Sequence, residues 1–167
     1  MLRHVIFTYR FNLDRARLLV RDLSDEEMVR QPHGVVNHPA WTLGHLAQAS
    51  NQLAIGLGLE STFPAEWREA FRTGGTPSGD ASRFPPKAAP LAELAAQHER
   101  VAGALESAEP AALDAALARA HPNEGTRQRF PTVGDYALYL ITSHEGSHLG
   151  QMAAWRRAMG LGSASGI

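Results

Sequence analysis

Between Thr132 and Gly160 the chain reads TVGDYALYLITSHEGSHLGQMAAWRRAMG, which predicts one long helix with marked ends. Thr132 is placed to cap its N-terminus, and Asp135 stands three residues on, a capping-box spacing with a shorter acid. Gly160 follows Met159 and can take the left-handed turn that closes a helix. Arg156 and Arg157 lie in the last turn, where positive charge suits the helix dipole. Between those ends Ala137, Ile141, His144, His148, Met152, Trp155 and Met159 recur at steps of three and four, one face of a helix. Two histidines therefore sit one turn apart in an apolar stripe and are predicted to point into the core together.

Two imidazoles at i and i+4 can grip one metal ion from the same side. Left unligated they are a cost, because each neutral ring has one donor and one acceptor to satisfy. A lone core histidine is ordinarily structural, whereas a pair on a buried stripe favours a metal. The chain has no cysteine, so any transition-metal site rests on His, Asp and Glu, and eight histidines are available. Lys and Arg number 16 against 17 Asp and Glu, a net charge of −1, which is no footprint for nucleic acid. No apolar run is long enough to span a bilayer, and MLRHVIFTYRFNLDRAR lacks a signal-peptide pattern. A cytoplasmic protein with no membrane partner is expected. A length of 167 residues suits one domain, 1–167.

The rest of the chain also reads as helices. Leu2 to Asp22 carries a stripe of Val5, Tyr9, Leu13, Ala16 and Val20. Ser24 to Glu27 is a capping box opening a short helical piece through about Arg30. Gln31–Pro39 is a loop with His33 and His38. Pro39 or Ala40 opens the next main helix, with Trp41, His45, Ala49 and Leu53 at steps of four. Gly44 beside His45 permits close approach of a neighbour, and Gly56–Gly58 ends the helix. Phe63–Phe71 predicts a short helix. Arg72–Pro90, rich in Gly, Pro and Ser, is one long loop that either covers a site or crosses the surface as a mobile connector. Pro90 starts a third main helix with Leu91, Leu94, His98, Val101 and Leu105 in line. Ala111–Ala120 predicts a further short helix, and His121–Pro131 a turn or hairpin-like connector. With no internal repeat and no alternating strand, this is an all-α bundle of four main helices, short accessory helices and one long loop.

HEGSH matches H-E-x-x-H, the zinc-protease helix in which Glu is the general base. Such proteases usually take their third ligand downstream, but no His, Asp or Glu follows His148, and Gln151 and Ala154 occupy the positions of the extended motif. A metalloprotease is disfavoured, and a third ligand must come from upstream. His45, on an apolar stripe beside a glycine, ranks first and His98 second. His33, His38 and His121 sit in loops, and His4 reads as structural. Glu145 lies about 100° around the helix from His144 and flanks the stripe. It is either a general base, an acceptor for a histidine N–H, or an ordinary solvated or interface glutamate. Trp41 either walls a pocket or packs the core. Asn37 and His38 are placed to reach a site mouth, and Gln151 reads as structural.

NHPAWTLGHLAQ (Asn37–Gln48) and SHEGSHLGQMAAWRRAMG (Ser143–Gly160) together resemble the DinB family of helical metal-binding proteins, with its W-x-x-G-H helix and late H-x-x-x-H-x-G-Q helix. The resemblance implies a four-helix bundle of up-up-down-down topology. It implies a divalent transition metal (Zn, Ni or Fe) held at one end by His45, His144 and His148, and a homodimer formed by helix packing. It also implies metal-dependent hydrolysis, or transfer and isomerisation reactions that use a low-molecular-weight thiol. Glu145 stands where the family often has Asp or another residue, and the ligand set does not require it.

Three neutral imidazoles leave a divalent ion its full charge and an open position. That position can hold a water acidified to a pKa of about 7, or deprotonate a small thiol. Without cysteine in the chain, such a thiol is a co-substrate. The leading expectation is a metal-dependent enzyme acting on a small molecule. The alternatives are a non-catalytic stress-related or binding bundle with a structural metal, and a metal-free helical dimer whose histidines bond one another.

Overall fold

The computed structural model describes residues 2–117, 123–162 and 164. Three long helices come first: α1 (Leu2–Val20), α2 (Pro39–Gly56) and α3 (Ala88–Ser107). Two short ones follow, α4 (Pro110–Leu113) and α5 (Glu124–Arg129). The fourth long run is composite: α6 (Val133–Leu138), a π-helical turn (Tyr139–His144) and α7 (Glu145–Ala158). The described residues contain no strand, only an isolated bridge between Ala116 and Thr132. No helix among them is long and apolar enough to cross a membrane.

Local chemistry sets the helix ends. The Thr132–Asp135 capping box is closed by both of its bonds. Pro39 sits in the first turn of α2, and the His38 ring caps it by accepting the Trp41 N–H at 3.2 Å. Gly58 and Gly160 take positive φ after α2 and α7, which only glycine does cheaply. The predicted helical piece after Ser24 shrinks to a 3₁₀ turn, Glu27–Val29, behind a complete Ser24–Glu27 capping box. The helix predicted over Phe63–Phe71 likewise reduces to a 3₁₀ turn, Ala65–Trp67. Of the helix predicted over Ala111–Ala120, α4 covers the start; residues 118–122, His121 among them, lie outside the described residues.

Named contacts fix the direction of each helix. Arg10 pairs with Glu106 at 2.9 Å, and Lys87 bonds the carbonyls of Val20 and Leu23, so α1 and α3 run antiparallel. Asn12 reaches Glu145 and Arg156 reaches Asp22, so α1 and α7 run parallel. Asn37 meets Gln151 and His45 meets His144, so α2 and α7 are antiparallel. The order is up-down-down-up, not the expected up-up-down-down. The reason lies in the links. The segment 21–38 turns back at the end of the bundle where α1 finishes, whereas 57–87 runs the whole length and starts α3 beside the start of α2.

Two apolar layers fill the interior. One holds Leu19, Leu43, Phe71, Leu94, Met152 and Trp155; the other holds Ile6, Leu53, Val101, Leu105, Ala137 and Ile141. Each fully buried Leu or Phe contributes on the order of 2 kcal/mol. Buried polar side chains lie along the same helices, among them Asn12, His45, Ser50, His98 and Glu145.

The Arg72–Pro90 segment is an anchored cover. Pro77 O accepts from Gln31 Nε2 at 3.1 Å, Ser78 O bonds His38 Nε2 at 2.9 Å, and Phe84 meets the His38 ring edge-on. Phe71, just before it, is fully buried against Gly44, where an added Cβ would lie 2.3 Å from the phenyl ring. Gly44→Ala is therefore expected to cost about 2 kcal/mol by overpacking. Gly146→Ala, in open space on α7, is expected to be neutral or stabilising by up to about 1 kcal/mol. Urea denaturation of both variants checks the contrast.

Candidate metal centre

His45 comes from the middle of α2, His144 ends the π-helical turn, and His148 follows one turn later on α7. Nε2 of His45 and Nε2 of His144 stand 3.2 Å apart, and one ligand atom from each of the three rings lies within 4.8 Å of the others. Two nitrogens bound to one tetrahedral zinc at about 2.1 Å are themselves about 3.4 Å apart. His45 Nδ1 is 3.0 Å from Phe71 O. A carbonyl only accepts, so Nδ1 carries the proton and Nε2 presents its lone pair toward His144. Nδ1 of both His144 and His148 is buried without a hydrogen bond among the described residues. Hydrogen bonding among the three rings thus leaves the group unsatisfied, and a cation at their convergence would take up the lone pairs that face one another. The donor set fits a divalent transition metal.

Burial keeps the rings in the neutral, ligating form. It lowers His144 to about 3, helped by the charges of His148 and His45. It lowers His148 to about 4, helped by His45 and opposed by Gln151. His45 is lowered by burial against the opposing pull of Phe71 O. Trp41 stacks on His45 with centroids 4.5 Å apart and meets His148 edge-on at 6.0 Å, so it both walls the site and packs the core.

On the last helix Ala137, Ile141, Met152 and Trp155 of the predicted stripe are buried, and its middle differs. His144 and His148 are half-buried at its edge, and Glu145 is in the core, 3% exposed. Glu145 Oε1 is 2.8 Å from His98 Nε2, and its Oε2 accepts from Asn12 Nδ2 at 3.0 Å. Burial pushes the Glu145 carboxyl up, against the lowering effects of His98 and Asn12. It is not a solvated glutamate, and it does not belong to the three-histidine cluster. The H-E-x-x-H reading thereby finds no glutamate facing the cluster. His98, the second-ranked ligand, is buried, stacks on Tyr9 at 3.7 Å and serves Glu145.

The remaining candidates have other places. His38 is a fully buried helix cap, and Asn37 Nδ2 donates to Gln151 Oε1 at 3.1 Å, tying α2 to α7. His33 sits at positive φ in the 3₁₀ turn Pro32–Gly34, and His4 is exposed. Sequence reasoning missed Asn12 and Phe71. Nothing in the period of α1 marks Asn12, whereas Gly44 did announce a close neighbour, which is Phe71.

A helical bundle with three histidines converging from two neighbouring helices, two of which line a cavity, defines the class. Residues 2–152 match the sequence model of the DinB superfamily, and the chain belongs to that family. A solved structure, described as a conserved protein of locus from Enterococcus faecalis, superposes with a TM-score of 0.75 at 17% identity, covering 95% of this chain and 96% of that one. That likeness shows the shared fold. No protein with a curated description matches the chain.

Two predictions follow from the buried polar groups. His38 and His148 fall to about 4 and His144 to about 3 in the folded chain, from an ordinary 6.5. The unfolded chain then binds more protons below 6.5, so their stabilising contribution is complete above that pH and is lost as pH drops toward 4. The melting temperature of metal-free protein should fall steadily from pH 7 to 4; a flat profile contradicts this. Separately, Glu145→Ala strips His98 and Asn12 of their buried acceptor and should cost about 3 kcal/mol in denaturant unfolding, whereas Glu145→Gln, which keeps an acceptor, should cost less.

Proposed function

We propose that this chain is a metal-dependent enzyme acting on a small molecule, with His45, His144 and His148 as the ligands. The observation that carries this is the convergence of three neutral imidazoles, two of which, His45 and His144, line a cavity of about 400 Å³. When bound, a divalent transition metal (Zn, Ni or Fe) supplies an open position that acidifies a water for hydrolysis or an exogenous low-molecular-weight thiol for transfer. Phe71 O holds the His45 tautomer that offers Nε2, and Trp41 fixes the plane of that ring. The cavity beside them gives a substrate room, which a purely structural metal site does not need. Glu145, with both oxygens engaged in the core, acts in this reading through the helix that carries His144 and not on the substrate. A homodimer belongs to the same reading, supported by Phe7 and Phe11, exposed one turn apart on α1.

The test is metal content by elemental mass spectrometry on tag-free protein prepared without chelator. Wild type should hold about one equivalent, and His45→Ala less than about a tenth of that. Equal content in the two, or none in wild type after supplementation at neutral pH, overturns the assignment.

A further inference from the structure

The cavity that His45 and His144 line is walled on one side by α2, on another by α5, and on a third by the π-helical turn. Its lining includes two arginines, Arg72 and Arg129, and no Asp or Glu among the described residues. Its apolar wall is aromatic. Phe130 stacks on Tyr139 with centroids 4.5 Å apart, and Tyr139 stands 5.9 Å from the His144 ring. Aromatic rings reaching to the His144 ring, together with two arginines in the same lining, make an asymmetric receptor.

We infer that this cavity binds a small organic oxyanion, a carboxylate or phosphate ester, with its charge on Arg72 and Arg129 and its carbon skeleton against Phe130 and Tyr139. This rests on the reading of the three-histidine site as an enzyme centre and names the substrate class of that site. Charge decides the sign. Aromatic walls alone also suit an organic cation, but two guanidiniums with no lining carboxylate repel one, and a divalent ion adds to that repulsion. Guanidinium is the side chain best shaped to hold carboxylate or phosphate through paired hydrogen bonds. Arg129 has no ion pair among the described residues. Arg72 pairs with Glu69 three residues away at 2.7 Å, both side chains being well exposed. Such a pair is weakly held and exchanges readily for a ligand. Arg72 is also placed by the site itself. It follows Phe71, whose carbonyl bonds His45 and whose ring fills the space over Gly44. The register of that one residue sets the distance between the rim cation and the ligand helix.

The experiment is isothermal titration of the full chain with benzoate, phenyl phosphate and benzyl alcohol, after its metal content has been measured. At least one of the two anions should bind tenfold or more tighter than the alcohol. Whichever anion is preferred identifies the carboxylate or phosphate class. In Arg72→Gln/Arg129→Gln that anion should weaken tenfold or more with metal content unchanged, and Arg72→Lys/Arg129→Lys should recover part of the loss. Equal binding of alcohol and anions, no binding of any probe, or undiminished affinity in the Gln variant overturns the inference, even if metal is present. If wild type holds no metal, the enzyme reading fails on its own. The same titrations on metal-free protein then still decide whether the cavity selects oxyanions.

Discussion

The buried contact between Glu145 and His98 is the constraint around which the bundle is arranged. It joins the last helix to α3, and Asn12 joins both to α1 by donating to Glu145 Oε2 and to the carbonyl of Ile141. Ile141 lies inside the π-helical turn, whose carbonyls are displaced from the regular ladder. One asparagine thus bonds both the irregular turn and the carboxylate just beyond it. His144 is the last residue of that turn, so its direction depends on a bond made on the far side of the helix. Taking a carboxylate into the core carries a desolvation cost that its partners must offset. Its value is better understood as specificity: an all-apolar interior would allow the helices to slide, whereas Glu145, His98 and Asn12 meet in only one register.

The fold was legible where sequence periodicity meets capping chemistry. Thr132, Asp135, Ser24, Glu27 and Gly160 all behave as their local chemistry dictates. Helix direction was not legible, because it is set by how far a linker travels. The segment between Gly56 and Ala88 contains only 3₁₀ turns and irregular backbone, and its path is fixed by tertiary bonds such as Gln31 to Pro77 and His38 to Ser78. None of those has a signal in the local pattern.

At the site, the three histidines were placed by motif and periodicity, and they do converge. What the period could not show is the π-helical turn. An extra residue in one turn changes the local phase, and the stripe counted from Ala137 misses the core face at His144 and His148 but meets it again at Met152 and Trp155. The prediction accordingly placed the histidines in the centre of the stripe and Glu145 beside it. The structure exchanges them: Glu145 and Leu149 are buried, and His144 and His148 are half-buried, with His144 on the cavity wall. An ionisable residue predicted to flank an apolar stripe is, in this chain, the one that the core is built to hold.

That exchange has an electrostatic consequence. Glu145 lies about 100° around the helix from His144, so the face that turns the imidazole toward the cavity turns the carboxylate into the core. There it bonds His98 and Asn12, leaving imidazoles, aromatic rings and arginines around the cavity. A site so lined does nothing to quench the charge of a divalent ion, and neutral ligands do not either. In the proposed reading, the acidifying power of the ion and the attraction of the cavity for an oxyanion have one origin, the placement of the adjacent carboxylate in the core. His144 and Glu145 are neighbours in the chain, and the helical rotation from one residue to the next is what separates their two environments.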